Sequence, residues 1–224
     1  MAADSPSLDL YPDTRDELIE LARSLTPEQA ETIIPLTPDW RVKDAVAHVC
    51  GIIADILAGR LEGLGSDEWT AAQVADRADA TIDQICDEWL SYALEFGERL
   101  AAEPFLGVRL TGDLIVHIQD IQDALGIEQD VGSVATTVGA HRYVPQLQER
   151  VHEQLGIGLD VELTDGTSWP APGAYQRVSL RATPHDFLRS VTGRRTRAEV
   201  EALDWTGDPT EILDGAFTSY GKLD

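Results

Sequence analysis

The hydrophobic period of this chain changes near residue 126, and that change restricts the fold more than any other feature. Upstream, apolar residues recur at three- and four-residue spacing, the period of helices with one buried face. Leu18, Leu21 and Leu25 do so in PDTRDELIELARSL (12–25), and Val42, Val46, Val49, Ile53 and Ile56 mark a second stripe. A long pattern over 67–102 runs through Val74, Ala78, Ile82, Ile85 and Trp89 to Leu100. The stretch GDLIVHIQDIQDALG (112–126) makes a fourth. Pro12 with its acidic neighbours starts the first pattern, Gly63 and Gly65 stop the second, and Pro104 and Gly107 separate the last two. Four helices with short connections predict an up-and-down bundle.

Helical periodicity lapses in the polar passage GIEQDVGS (126–133), where we place a boundary between a domain at 1–130 and one at 131–224. Residues 135–155 read as a helix. IGLDVELTDG and AYQRVSLRAT then alternate as strands do, with Asp165-Gly166 as turn chemistry. A short helix at 184–193, a third strand in AEVEALDWTG and a closing helix over 209–220 complete the expectation. The fold class is α+β, a helical bundle followed by a small α/β domain.

The charge excludes several roles. Forty acidic against 17 basic residues leave a formal net charge of −23, a field that repels phosphate backbones and anionic lipids. No nucleic-acid or membrane partner is therefore expected. No apolar run approaches the roughly 20 residues that span a bilayer, and MAADSPSLDLYPD has neither the basic nor the apolar segment of a signal peptide. A cytoplasmic protein follows. Cys50 and Cys86 lack CxxC spacing and read as reduced, buried small residues.

One helix carries chemistry on its shoulder. With about 100° per residue and Asp113 set at zero, His117 falls near 40° and Asp120 near −20°, while Leu114, Ile118, Ile121 and Leu125 cluster at about 80–140°. A carboxylate and an imidazole four residues apart can both reach one metal ion, and Asp120 can orient the imidazole from behind. The same spacing also makes an ordinary surface pair, and a zinc site needs a third protein ligand from elsewhere. Of the other histidines, His48 stacks with Asp44, Ile52 and Asp55, about 120° from the centre of its helix's apolar stripe, so periodicity does not aim it inward. His141 reads as a surface residue, and His152 and His185 carry no signal of their own.

Three passages together resemble one family. DWRVKDAVAH (39–48) is similar to the Trp-x-Val-x-Asp-x-x-x-His signature of the DinB-like, mycothiol-dependent maleylpyruvate isomerase family. DLIVHIQDIQDALG is similar to its second signature, in which an acid precedes a histidine by four residues and an Asp follows by three. FLRSVTGRRTRAEVEALDWTGDP (187–209) resembles the Leu-x-Gly-Arg-Arg and Gly-Asp passages of its C-terminal domain. Order and spacing match over nearly the whole chain. The resemblance implies a DinB-like four-helix bundle, then an α/β domain, with a divalent metal held by His48, Asp113 and His117. Two departures stand out. The acid is usually Glu, so Asp113 is one methylene shorter, and Arg41 stands where a Ser or Thr usually caps the helix, at a cost of about 1 kcal/mol.

Three protein ligands leave a coordination position open, as catalytic sites do. Zinc or another divalent metal there lowers the pKa of a bound thiol or water. The resemblance implies the thiol, with mycothiol as co-substrate, for isomerisation of a maleylpyruvate-like compound or for S-transfer. Arg194, in Gly193-Arg194-Arg195, is the candidate to hold a substrate carboxylate, or else caps a helix C-terminus. Trp40 reads as packing beside the site. A hydrolase using metal-activated water, and a non-catalytic binding module on the same fold, are the alternatives.

Overall fold

The computed structural model describes residues 10–171, 173, 176–219 and 223. It divides into two compact units, residues 1–129 and 130–224.

Among the described residues, the regular structure of the first unit is helical. Its helices are α1 (Leu10–Ser24), α2 (Pro27–Ala30), α3 (Val42–Ala58), α4 (Asp67–Ala75), α5 (Ile82–Ser91), α6 (Ala93–Ala102) and α7 (Pro104–Leu125). The bundle proper consists of α1, α3, α7 and the α5–α6 pair. α1 lies against α5 and α7, and α3 lies against α4, α5 and α7. Leu18, Val42, Val46, Ile53, Ile85, Trp89, Ile118 and Ile121 fill its core. Trp89 buries its indole and still satisfies it, donating from Nε1 to the Tyr11 hydroxyl at 3.1 Å.

Several boundaries differ from the periodicity. The pattern over 67–102 is three helices. Thr81 and Gln84 form a capping box, each side chain bonding the other's backbone amide, and this starts α5 anew. The chain bends again at Tyr92, between α5 and α6. In contrast, Pro104 begins α7 instead of preceding it, because the first helical position lacks an amide partner in any case. α7 is therefore about two turns longer at its start than expected, and ends at Gly126 in the left-handed conformation (φ 65°). α3 stops at Gly59, earlier than the Gly63–Gly65 pair.

The second unit opens with α8 (Val134–Leu155), followed by β1 (Ile157–Leu163), β2 (Ser168–Trp169) and β3 (Gln176–Ala182). It continues through α9 (Pro184–Val191), α10 (Arg197–Glu201), β4 (Asp204–Thr206) and α11 (Thr210–Leu213). The sheet order is β2-β1-β3-β4, with β1 and β3 parallel and both edge strands antiparallel. Alternation buries Leu159, Val161, Val178 and Leu180, while Glu162 and Arg181 point outward. α8 packs on β1 and α9, and Gln148 donates to the carbonyls of Leu159 and Trp169, both at 2.8 Å.

Here too two expectations are corrected. The strand expected in AEVEALDWTG shrinks to β4, because Thr196 and Glu199 cap each other and turn the preceding residues into α10. The closing helix over 209–220 is only α11; turns follow it, and Tyr220 lies outside the described residues. Among the described residues, no helix is long and apolar enough to cross a membrane.

Candidate metal centre

α3 and α7 bring His48, Asp113 and His117 together: one ligand atom from each lies within 4.8 Å of the other two. Both imidazoles are buried and Asp113 is partly exposed. The rings of His48 and His117 meet edge to face with centroids 5.1 Å apart. Among the described residues this is the one group of three or more histidine, cysteine, aspartate and glutamate side chains so placed.

His48 is buried although it lies off the apolar stripe of α3. A wheel assumes one buried face, but α3 has α4 on one flank and α5 and α7 on others. Thirteen of its 17 residues are buried, among them Asp44, His48 and Asp55. The polar line through Asp44, His48 and Asp55 thus faces protein and must be paired there.

Each member of that line is paired. Arg41 starts α3, and its guanidinium has no acceptor with which to cap amides. Asp44 supplies what Arg41 cannot, accepting the Arg41 amide at 2.9 Å and a two-pronged contact from its guanidinium at 2.8 Å. Burial pushes the Asp44 carboxyl up, but these bonds outweigh it and hold it below the usual range. The expected capping loss is offset by this carboxylate. His48 Nδ1 lies 2.8 Å from Gln73 Oε1, Gln73 Nε2 donates to Asp55 at 2.7 Å, and Asp55 accepts from Arg60 at 2.7 Å.

Gln73, from α4, was not marked by the sequence. It is 2% exposed and reaches His48 because α4 crosses α3 at Gly51. A Cβ on Gly51 would stand 2.5 Å from the Gln73 Cβ. A glycine inside an otherwise apolar helix was the available signal, since it marks a close approach of another element.

On α7, Asp120 is 1% exposed and its Oδ2 lies 3.9 Å from His117 Nδ1. Trp40 closes one side of the group. A tight loop, with Trp40 donating its amide to Thr37 and accepting from Ile34, lays the indole near-parallel to His117 (20°, centroids 6.0 Å) and 5.0 Å from His48. Asp113 also borders a cavity of about 10 Å³ whose other walls include Tyr11, Ile53 and Trp89, room for about one water molecule.

The donor set is chemically suited to a borderline cation: two imidazole nitrogens and one carboxylate oxygen, the composition of many three-ligand zinc sites. With Nδ1 engaged by Gln73, Nε2 is the nitrogen through which His48 would bind a metal, the arrangement metal-binding histidines need. The chain's own thiols are unsuited to nucleophilic work. Burial pushes the Cys50 thiol up to about 12, and raises that of Cys86 as well.

The remaining candidates lie in the second unit. Arg194 follows α9, donating from Nη1 to the Thr192 carbonyl at 2.7 Å, which places its charge at a helix C-terminus. His141 faces Asp165 at 2.6 Å and the edge of Trp169. His152 is exposed and His185 half-buried.

No family model matches the sequence, and no curated protein matches it. Two solved structures are similar over most of their length. A crystal structure of a histidine-to-alanine mutant of mycothiol-dependent maleylpyruvate isomerase aligns with 89% of this chain and 91% of its own, at 13% identity and a TM-score of 0.55. A second crystal structure of mycothiol-dependent maleylpyruvate isomerase covers 84% and 88%, at 17% identity and a TM-score of 0.49. The first likeness establishes the fold: a helical bundle followed by a small α/β unit.

Proposed function

We propose that this chain is a cytoplasmic, metal-dependent enzyme that activates a low-molecular-weight thiol, mycothiol. Its reaction is isomerisation of a maleylpyruvate-like substrate, or S-transfer to a related electrophile. The observation that carries the reading is the meeting of His48, Asp113 and His117 in the fold of mycothiol-dependent maleylpyruvate isomerase.

A divalent metal held there, zinc in the first instance, would lower the pKa of a bound thiol so that thiolate is present near neutral pH. The chain's residues supply the rest. His48, Asp113 and His117 would hold the ion, with Gln73 bonded to the His48 imidazole and Asp120 beside that of His117. Trp40 shields the histidines from water. With Cys50 and Cys86 kept as thiols by burial, the nucleophile comes from outside the chain. In the isomerisation a cis double bond conjugated to a carbonyl becomes single on addition of the thiolate. It then rotates and is restored as trans when the thiolate leaves, with no net consumption. Arg194 is our candidate for the substrate carboxylate, on the ground that a guanidinium fork matches that group.

The test is metal analysis of purified protein, followed by titration with zinc and turnover of maleylpyruvate with and without mycothiol. We expect about one zinc per chain, lost in His48→Ala and His117→Ala, and turnover that requires the thiol. Protein that takes up no zinc refutes the reading. Turnover with thiol absent transfers it to a hydrolase using metal-activated water.

A further inference from the structure

A metal-binding histidine coordinates through one nitrogen only, and the other nitrogen's hydrogen bond selects which. In this chain that selection is made three residues away from the imidazole, by a directional chain of hydrogen bonds. We propose that Gln73 is a positioning residue that fixes the Nδ1–H tautomer of His48, and that Asp55 and Arg60 set the direction of the Gln73 amide. The inference rests on the metal reading above and adds to it a residue from α4.

The direction follows from donor and acceptor inventories. The Asp55 carboxylate accepts from Arg60 Nε at 2.7 Å and pairs with Arg60 Nη2 at 2.6 Å. A carboxylate so engaged accepts and does not donate, so the Gln73 group facing it at 2.7 Å is the NH₂. The Gln73 carbonyl therefore faces His48, at 2.8 Å, and accepts only if Nδ1 carries the proton. Neither amide orientation nor tautomer is free to invert without setting two donors or two acceptors against each other.

The surroundings hold Gln73 in this pose. Gln73 and Asp55 are 2% and 7% exposed, so a mismatched group there has little recourse to water. Gly51 lets the Gln73 stem lie on the α3 backbone, and Arg77 Nη1 donates to the Gln73 carbonyl of the main chain at 3.1 Å. Arg77 is in turn clamped by Glu88. Arg60 is the outer end of the chain and the most exposed member, at 58% for its side chain.

The experiment compares wild type with Q73L, which keeps volume and loses both bonds, and with Q73E/D55N. The double variant moves the negative charge one step toward His48 while preserving each donor–acceptor pair. Ring-nitrogen shifts of His48 are recorded by NMR on metal-free protein, and zinc affinity is measured by competition with a chelator. We expect Nδ1–H in wild type and Q73E/D55N, and in Q73L a shift toward the Nε2–H form that an unrestrained imidazole favours. Zinc affinity should fall about 10- to 100-fold in Q73L and recover in the double variant. An Nε2–H tautomer in wild type, or a Q73L that keeps both tautomer and affinity, overturns the inference. The wild-type tautomer needs no variant, so a Q73L that fails to fold does not leave the matter undecided. Absence of zinc uptake by wild type sinks the metal reading alone, because the tautomer comparison is made without metal.

Discussion

Gly51 and Gln73 are in contact so close that a single added carbon at Gly51 would stand 2.5 Å from the Gln73 Cβ. The position of α4 on α3, and with it the support of His48, depends on that missing carbon. Gly51→Ala should gain about 1 kcal/mol in helix propensity and lose about 1–3 kcal/mol to overpacking. The net expectation is a less stable protein whose zinc affinity also falls. Urea denaturation and chelator competition on the same preparation check both. A variant more stable than wild type would show that Gln73 moves aside without cost.

Asp113 has the shortest side chain of the three grouped residues and is the only one of them partly exposed. Asp113→Ala should lower zinc affinity by at least about 10-fold, whereas Asp113→Glu, one methylene longer, should keep it. Isothermal titration with zinc distinguishes the two. Equal binding by Asp113→Ala and wild type would remove Asp113 from the ligand set.

Arg77 is buried, and its guanidinium meets both oxygens of Glu88, which also accepts the Tyr92 hydroxyl at 2.8 Å. Glu88→Ala leaves that guanidinium without its carboxylate, at an expected cost of about 1–3 kcal/mol; partial exposure of Glu88 sets the modest upper end. The urea midpoint should fall while the slope stays constant. An unchanged midpoint would mean that water replaces the carboxylate.

His185 sits at the start of α9, where burial, aided by the Arg195 guanidinium, holds its imidazole below the usual 6.5. The unfolded chain therefore binds this proton more readily than the folded one. Its contribution to stability is fully present above pH 6.5 and is lost as pH falls through the folded value. His185→Gln should lose less stability than wild type between about pH 7.5 and pH 5. Parallel acid-limb denaturation curves for the two proteins would contradict this.

Arg194 can be separated from a purely structural arginine by kinetics. If it holds the substrate carboxylate, Arg194→Ala should raise KM about 10-fold or more with zinc content unchanged, and Arg194→Lys should recover only part. Unaltered KM would leave it the helix-terminal role that its 2.7 Å bond to Thr192 already performs.

Some of this molecule was legible in its residues. The change of period near 126 and the stripes through Val42–Ile53 and Leu114–Ile121 gave a helical bundle followed by a mixed unit. Local capping is also written there: Thr81 with Gln84 and Thr196 with Glu199 are spacings that start a helix inside an apparently continuous pattern. Asp113 and His117 shared a helix face by arithmetic alone, while His48 joined them through the resemblance, since its own wheel pointed it elsewhere.

What the sequence determined by itself is local: the helical and strand periods, the caps, and the pairing of residues four apart on one helix. These depend on neighbours in the chain, and backbone geometry converts them directly into structure. Only the tertiary structure decided that His48 is buried, that Gln73 supports it, and that Trp40 lies across both imidazoles. Those facts depend on α3 being surrounded instead of one-faced, and on how closely α4 approaches it at Gly51. Packing between elements distant in sequence sets such contacts, and no period within a single helix encodes them.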